Sequence, residues 1–103
     1  MSDGNHCQLT GVVVRLEKTA ITPAGVPRQR FWLEHRSRQE EDGHPREVQV
    51  RLAVVLVGRK AELIQGLKEG QNVRVAGFLS RAGYKGEARD RVQLIAETLE
   101  PLD

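Results

Sequence analysis

At 103 residues, 39% hydrophobic and 29% charged, the chain has the size and composition of one globular domain spanning 1–103, which excludes extensive disorder away from the termini. A formal net charge of +2 excludes a strong global field, so an anionic partner must be recognised by local clusters of cations. The lone cysteine, Cys7, excludes an intramolecular disulfide, no basic and apolar leader opens the chain, and the longest apolar run, Leu52–Val57, is too short for a bilayer, which together point to a cytoplasmic protein with no membrane contact.

Residues 8–16, QLTGVVVRL, are β-branched and apolar with one glycine inside, which predicts a first strand that bends or is closely approached by another backbone. TAITPAGVP, with two prolines and a glycine, predicts a loop. A second strand follows over about 28–38, and QEEDGHP, residues 39–45, carries the Asp42-Gly43 signal of a hairpin connection. The third strand, 46–57, alternates Val48, Val50, Leu52 and Val54 with Glu47, Gln49 and Arg51. It then becomes apolar on both faces, so its far end should be the more deeply buried.

Between Lys60 and Lys68, Leu63, Ile64 and Leu67 fall at helical spacing, with Gly70 placed to stop a helix of about two turns. NVRVAGFL, residues 72–79, reads as a fourth strand and RVQLIAETLEPL, residues 91–102, as a fifth, with the charged loop SRAGYKGEARD between them. Five strands with one short helix between the third and fourth is the element order of an all-β OB-fold, a five-stranded Greek-key barrel. An SH3-like barrel has no place for that helix.

Alternation along RQRFWLEHRSR, residues 28–38, sends Phe31 and Leu33 into the barrel and leaves Arg30, Trp32, Glu34, Arg36 and Arg38 on the other face. An indole among guanidiniums suits unpaired nucleic acid, since a base stacks on the ring while cations hold the flanking phosphates. The alternatives are a bulge that reverses the strand's parity, or a tryptophan that plugs a barrel end or a subunit interface. A second cluster, Arg81, Tyr84, Lys85, Arg89 and Arg91, sits in or beside the loop joining the last two strands. In OB-folds the oligonucleotide track crosses the second and third strands between the loops joining strands 1 to 2 and 4 to 5. Lys18, Trp32, Arg36, Arg51, Tyr84 and Lys85 all fall on those elements.

No catalytic machinery is visible. There is no GxxxxGK[ST] run, and Gly83-Tyr84-Lys85-Gly86 joins strands where the clamp of KH domains joins helices. His6, Cys7, His35 and His44 lack the close pairs of a zinc site, so neither a metal nor any other cofactor is expected. Ser37 beside His35 lacks an orienting acid. Glu40, Glu41 and Asp42 crowd the hairpin tip, where they serve solubility or contact a basic protein partner.

Two stretches carry a family resemblance. TPAGVPRQRFWLEHRSRQEEDG, residues 22–43, resembles primosomal replication protein N, the PriB family of bacterial replication restart. GLKEGQNVRVAGFL, residues 66–79, is similar both to that family and to the related bacterial single-stranded DNA-binding protein; LTGVVVR and AETLEPL extend the likeness to nearly the whole chain. The resemblance implies an OB-fold homodimer, not an enzyme, that binds single-stranded DNA and bridges the primosomal helicase to a downstream loading factor. It implies a dimer interface along Leu9, Thr10, Gly11, Val12, Val13 and Val14. Carried over by position, it also implies DNA contacts at Arg15, Arg36, Lys85 and Arg91. Three departures stand out: Gln49 where well-known members have a tryptophan, His44 in place of an aromatic, and Ala20 in place of a lysine, with Lys18 nearby. Trp32 is then the candidate for the missing stacking surface, helped by Arg51. A helicase adaptor with vestigial DNA binding, or an RNA-binding OB protein, remain the alternative readings.

Overall fold

The computed structural model describes residues 3–63, 66–82 and 91–102. In chain order the elements are β1 (Cys7–Leu16), β2 (Ala20–Ile21), β3 (Pro27–Glu41), β4 (His44–Val57), α1 (Arg59–Leu63), β5 (Asn72–Arg81) and β6 (Val92–Leu102). The strands run β1-β5-β6-β4-β3-β2 across the sheet, and β1 also pairs with β3, which closes the sheet on itself. The β4–β6 pairing is parallel and the others are antiparallel. This is the OB-fold barrel that the element order predicts.

Closure depends on β1 changing partners along its length. Its first half pairs with β5 from Cys7 to Val12, and its second half pairs with β3 from Val12 to Leu16, across a bulge between Val13 and Arg15. At the crossover Gly11 meets another backbone closely: a Cβ built there lies 2.5 Å from the Glu34 carbonyl oxygen. The glycine inside the first strand is therefore required by the approach of β3.

Two boundaries differ from expectation. The segment expected to be a plain loop before β3 contains the two-residue β2, because Ala20 and Ile21 pair with Arg28 and Pro27. The hairpin pairing continues to Glu41 and His44, leaving a two-residue turn in which Asp42 (φ 50°) and Gly43 (φ 76°) both adopt left-handed backbone, as an Asp-Gly hairpin turn demands. The expected helix is described over Arg59–Leu63, and Leu67 packs into the core ahead of Gly70 at φ 91°. Ile64 lies outside the described residues.

The core collects Val13, Phe31, Leu33, Val54, Leu56, Leu67, Val73, Val75 and Leu94, all buried. Four consecutive β4 residues, Ala53 to Leu56, are buried on both faces where β4 meets β6 in parallel. The outer part of the β3–β4 hairpin extends past the barrel, and every residue from Gln39 to Glu47 is exposed.

Candidate nucleic-acid interface

Phe31 and Leu33 are completely buried, which fixes the parity of β3 and turns Arg30, Trp32, Glu34, Arg36 and Arg38 outward. Register then builds a transverse row on the barrel's outer surface: Arg15 on β1, Trp32 on β3, Ala53 on β4 and Gln93 on β6. Ala53 and Gln93 are buried, so the row shows solvent chiefly the exposed Arg15 and the half-buried indole. The tryptophan neither plugs the core nor changes face.

The indole's neighbours along β3 are both engaged. Arg30 Cζ stands over the ring, 5.1 Å from its centroid, and Arg30 Nη1 donates to Glu17 Oε2 at 3.0 Å. A cation over an indole is worth about 0.5–1 kcal/mol where solvent reaches it. On the other side Glu34 accepts from Arg51 Nη2 at 3.2 Å. Both carboxylates beside the ring are thus neutralised by arginines, which removes the repulsion they would exert on a phosphate. Each pair is solvent-accessible and worth only about 0.2–1 kcal/mol.

Arg36 lies further along the same face and is exposed; with Arg38 and Gln49 it lines a depression on the hairpin. Lys18 is exposed in the segment between β1 and β2. Arg91 is exposed one alternation period before Gln93, and its carbonyl accepts from the Ala82 amide at 3.0 Å, which closes the base of the last loop. Arg81 is not brought to this row. It pairs with Val92, on the opposite parity to Ser80 and Gln93. Tyr84, Lys85 and Arg89 lie outside the described residues.

The expected dimer stretch divides by parity. Val13 is fully buried and Leu9 packs against the core, whereas Thr10 and Val12 share the outer parity, and Val14 sits at the bulge. His35 Nδ1 donates to the Thr10 carbonyl at 2.7 Å, and its Nε2 lies 2.8 Å from Ser37 Oγ. A carbonyl in that position orients the ring but cannot serve as the acid of a nucleophile triad. Among the described residues no group of three or more His, Cys, Asp or Glu could hold a metal ion.

Two residues of this surface were missed in the sequence. Phe78, 37% exposed, faces outward on β5 in a row with Ile95, Val55 and Arg30. Alternation from Val73 and Val75 would have found it. Glu17 had no such signal, because its contact with Arg30 is created by the pairing of β1 with β3.

A family model described as "Another single-strand binding protein family" matches residues 5–96. The replication restart protein PriB of Haemophilus ducreyi is 36% identical over 101 residues, covering 96% of this chain and 80% of that protein. The chain belongs to the PriB family. The PriB of Vibrio cholerae is 43% identical over 77 residues, 74% of this chain and 77% of its own. The solved structure of PriB from Ralstonia solanacearum superposes with a TM-score of 0.82 at 24% identity, over 96% of this chain and 98% of that one, and so shares the fold. Against this PriB background, Trp32 stands on the face that the barrel leaves open.

Proposed function

We propose that this protein binds single-stranded DNA during replication restart, as a non-enzymatic accessory factor of the cytoplasm that acts as a homodimer and bridges the primosomal helicase to a downstream loading factor. The observation that carries the DNA-binding reading is the outer row in which Arg15 and the exposed side of Trp32 lie together, with Arg36 further along the same face. Stacking would supply about 1–3 kcal/mol per base, and Arg15 and Arg36, which have no ion-pair partner among the described residues, the phosphate contacts. The names of the relatives support the restart role; the bridging role rests on the family resemblance.

Fluorescence anisotropy with a labelled deoxythymidine oligomer tests this. Trp32→Ala is expected to weaken binding by about 1–3 kcal/mol while the fold is retained. If about four phosphates are neutralised, affinity should fall roughly 50-fold between 50 and 200 mM salt, at a slope near −0.7 per contact. A folded mutant with unchanged affinity refutes Trp32 as the platform.

One observation favours the helicase-adaptor reading: Arg30 and Arg51 are already paired with Glu17 and Glu34, leaving fewer free cations. Helicase capture without oligonucleotide affinity would support it, and competition by RNA of equal length would expose a preference for ribose.

A further inference from the structure

Among the described residues, Arg30 is the one cation of the platform that the fold holds by two different groups at once. Its guanidinium lies over the Trp32 ring and donates to Glu17 at 3.0 Å. Glu17 is itself pinned through its backbone, since its amide donates to the Arg30 carbonyl at 3.0 Å and its carbonyl accepts from Gln29 Nε2. Gln29 is anchored in turn by the Thr19 hydroxyl, which donates to its Oε1 at 2.6 Å. The carboxylate is therefore delivered to the guanidinium by the antiparallel pairing of β1 with β3, which Glu17 continues one residue past Leu16.

This has consequences for where a strand of DNA can touch. A phosphate reaching Arg30 competes with Glu17 for the guanidinium, and a base stacking on the indole is left the ring face that Arg30 does not cover. Arg15 and Arg36 are different: both are exposed, and neither has an ion-pair partner among the described residues. Resting on the reading of this face as the single-strand platform, we infer that Arg30 is a positioning residue for Trp32 and not a phosphate ligand, with Glu17 holding it over the ring. Trp32 then accepts a single base, and Arg15 and Arg36 take the flanking phosphates.

Trp32 is the only tryptophan in the chain, so intrinsic emission reports the platform directly. The test titrates the full-length protein with a deoxythymidine oligomer at 50 and 200 mM salt, following anisotropy and tryptophan quenching, with thermal melting to establish folding. Arg15→Gln should flatten the affinity loss between the two salts by about 2.6-fold, one phosphate contact's share, and keep the quench. Arg30→Gln should lower affinity several-fold and reduce the quench, with the parent's salt response retained. Glu17→Gln frees the guanidinium and should steepen the salt response by about the same 2.6-fold while weakening the quench. Arg30→Lys keeps the charge without the planar fork, so it should resemble Arg30→Gln.

Two results overturn the inference: Arg30→Gln flattening the salt response with the quench intact, or Arg30→Lys restoring parental affinity and quench. If Arg30→Gln fails to fold, the Lys and Glu17 variants still decide. A parent protein that binds the oligomer with no change in tryptophan emission defeats the platform itself, an outcome distinct from either.

Discussion

Single residues set the tightest constraints where two backbones nearly touch. A Cβ at Gly77 falls 1.9 Å from the Ile95 carbonyl oxygen and 3.0 Å from Ala96 Cα, at the bulge between Ala76 and Gly77. Both obstacles are backbone, so no rotamer change relieves them. Gly77→Ala must shift β5 against β6 and is expected to cost about 2–3 kcal/mol, as overpacking in a dense interior does. Thermal melting checks it: for a domain of this size the drop should be about 10 °C. Gly25→Ala is no control, since its φ of 81° adds strain of another kind. Gly11 and Gly77 each interrupt a strand run that carries valines, a cue to close backbone approach, but which backbone each one meets came only from the register, β3 for Gly11 and β6 for Gly77. The same contrast holds in the candidate site. Trp32 was legible through the alternation with Phe31 and Leu33, but the Arg30 contact that covers part of its ring needed the pairing of distant strands.

Among the described elements, the β3–β4 hairpin is the one that leaves the barrel. From Gln39 to Arg46 every residue is exposed, and the one ion pair within that span, Arg46 to Glu41 at 3.6 Å, is solvent-accessible. Replacing these eight residues by Asn-Gly keeps a two-residue turn between Arg38 and Glu47, which are register partners. The melting temperature of the shortened protein should stay within a few degrees of the parent's, because no apolar area is lost from the core. The deletion removes three carboxylates and one guanidinium, so oligonucleotide affinity should hold or rise; a marked loss would assign DNA contacts to the tip. The strands were readable because periodicity and the Asp-Gly pair agree. Less was readable where pairing replaces pattern: β2 exists only because two loop residues, Ala20 and Ile21, meet β3.

For the molecule as a whole, the open question of assembly turns on one strand edge. Pairing of β1 with β3 begins only at Val12, so the earlier part of β1 has β5 on one edge and, among the described residues, no strand on the other. The Thr10 carbonyl points to that open edge, since it accepts from His35 on β3 at 2.7 Å. In a strand a residue's N–H and C=O point to the same side, and the side alternates, so the Gln8 amide also faces the open edge while Cys7, Leu9 and Gly11 bond β5. An edge of this kind invites a second strand, which the proposed dimer would supply from a second copy. Gln8→Pro removes one donor from that edge without removing any donor from the β5 ladder, and proline is tolerated on edge strands. The parent should run at twice the chain's mass by light scattering, and Gln8→Pro should shift it toward the monomer at micromolar concentration with the barrel still folded by circular dichroism. A parent that stays monomeric refutes the homodimer, and a variant that dimerises as tightly as the parent places the partner copy elsewhere than on β1.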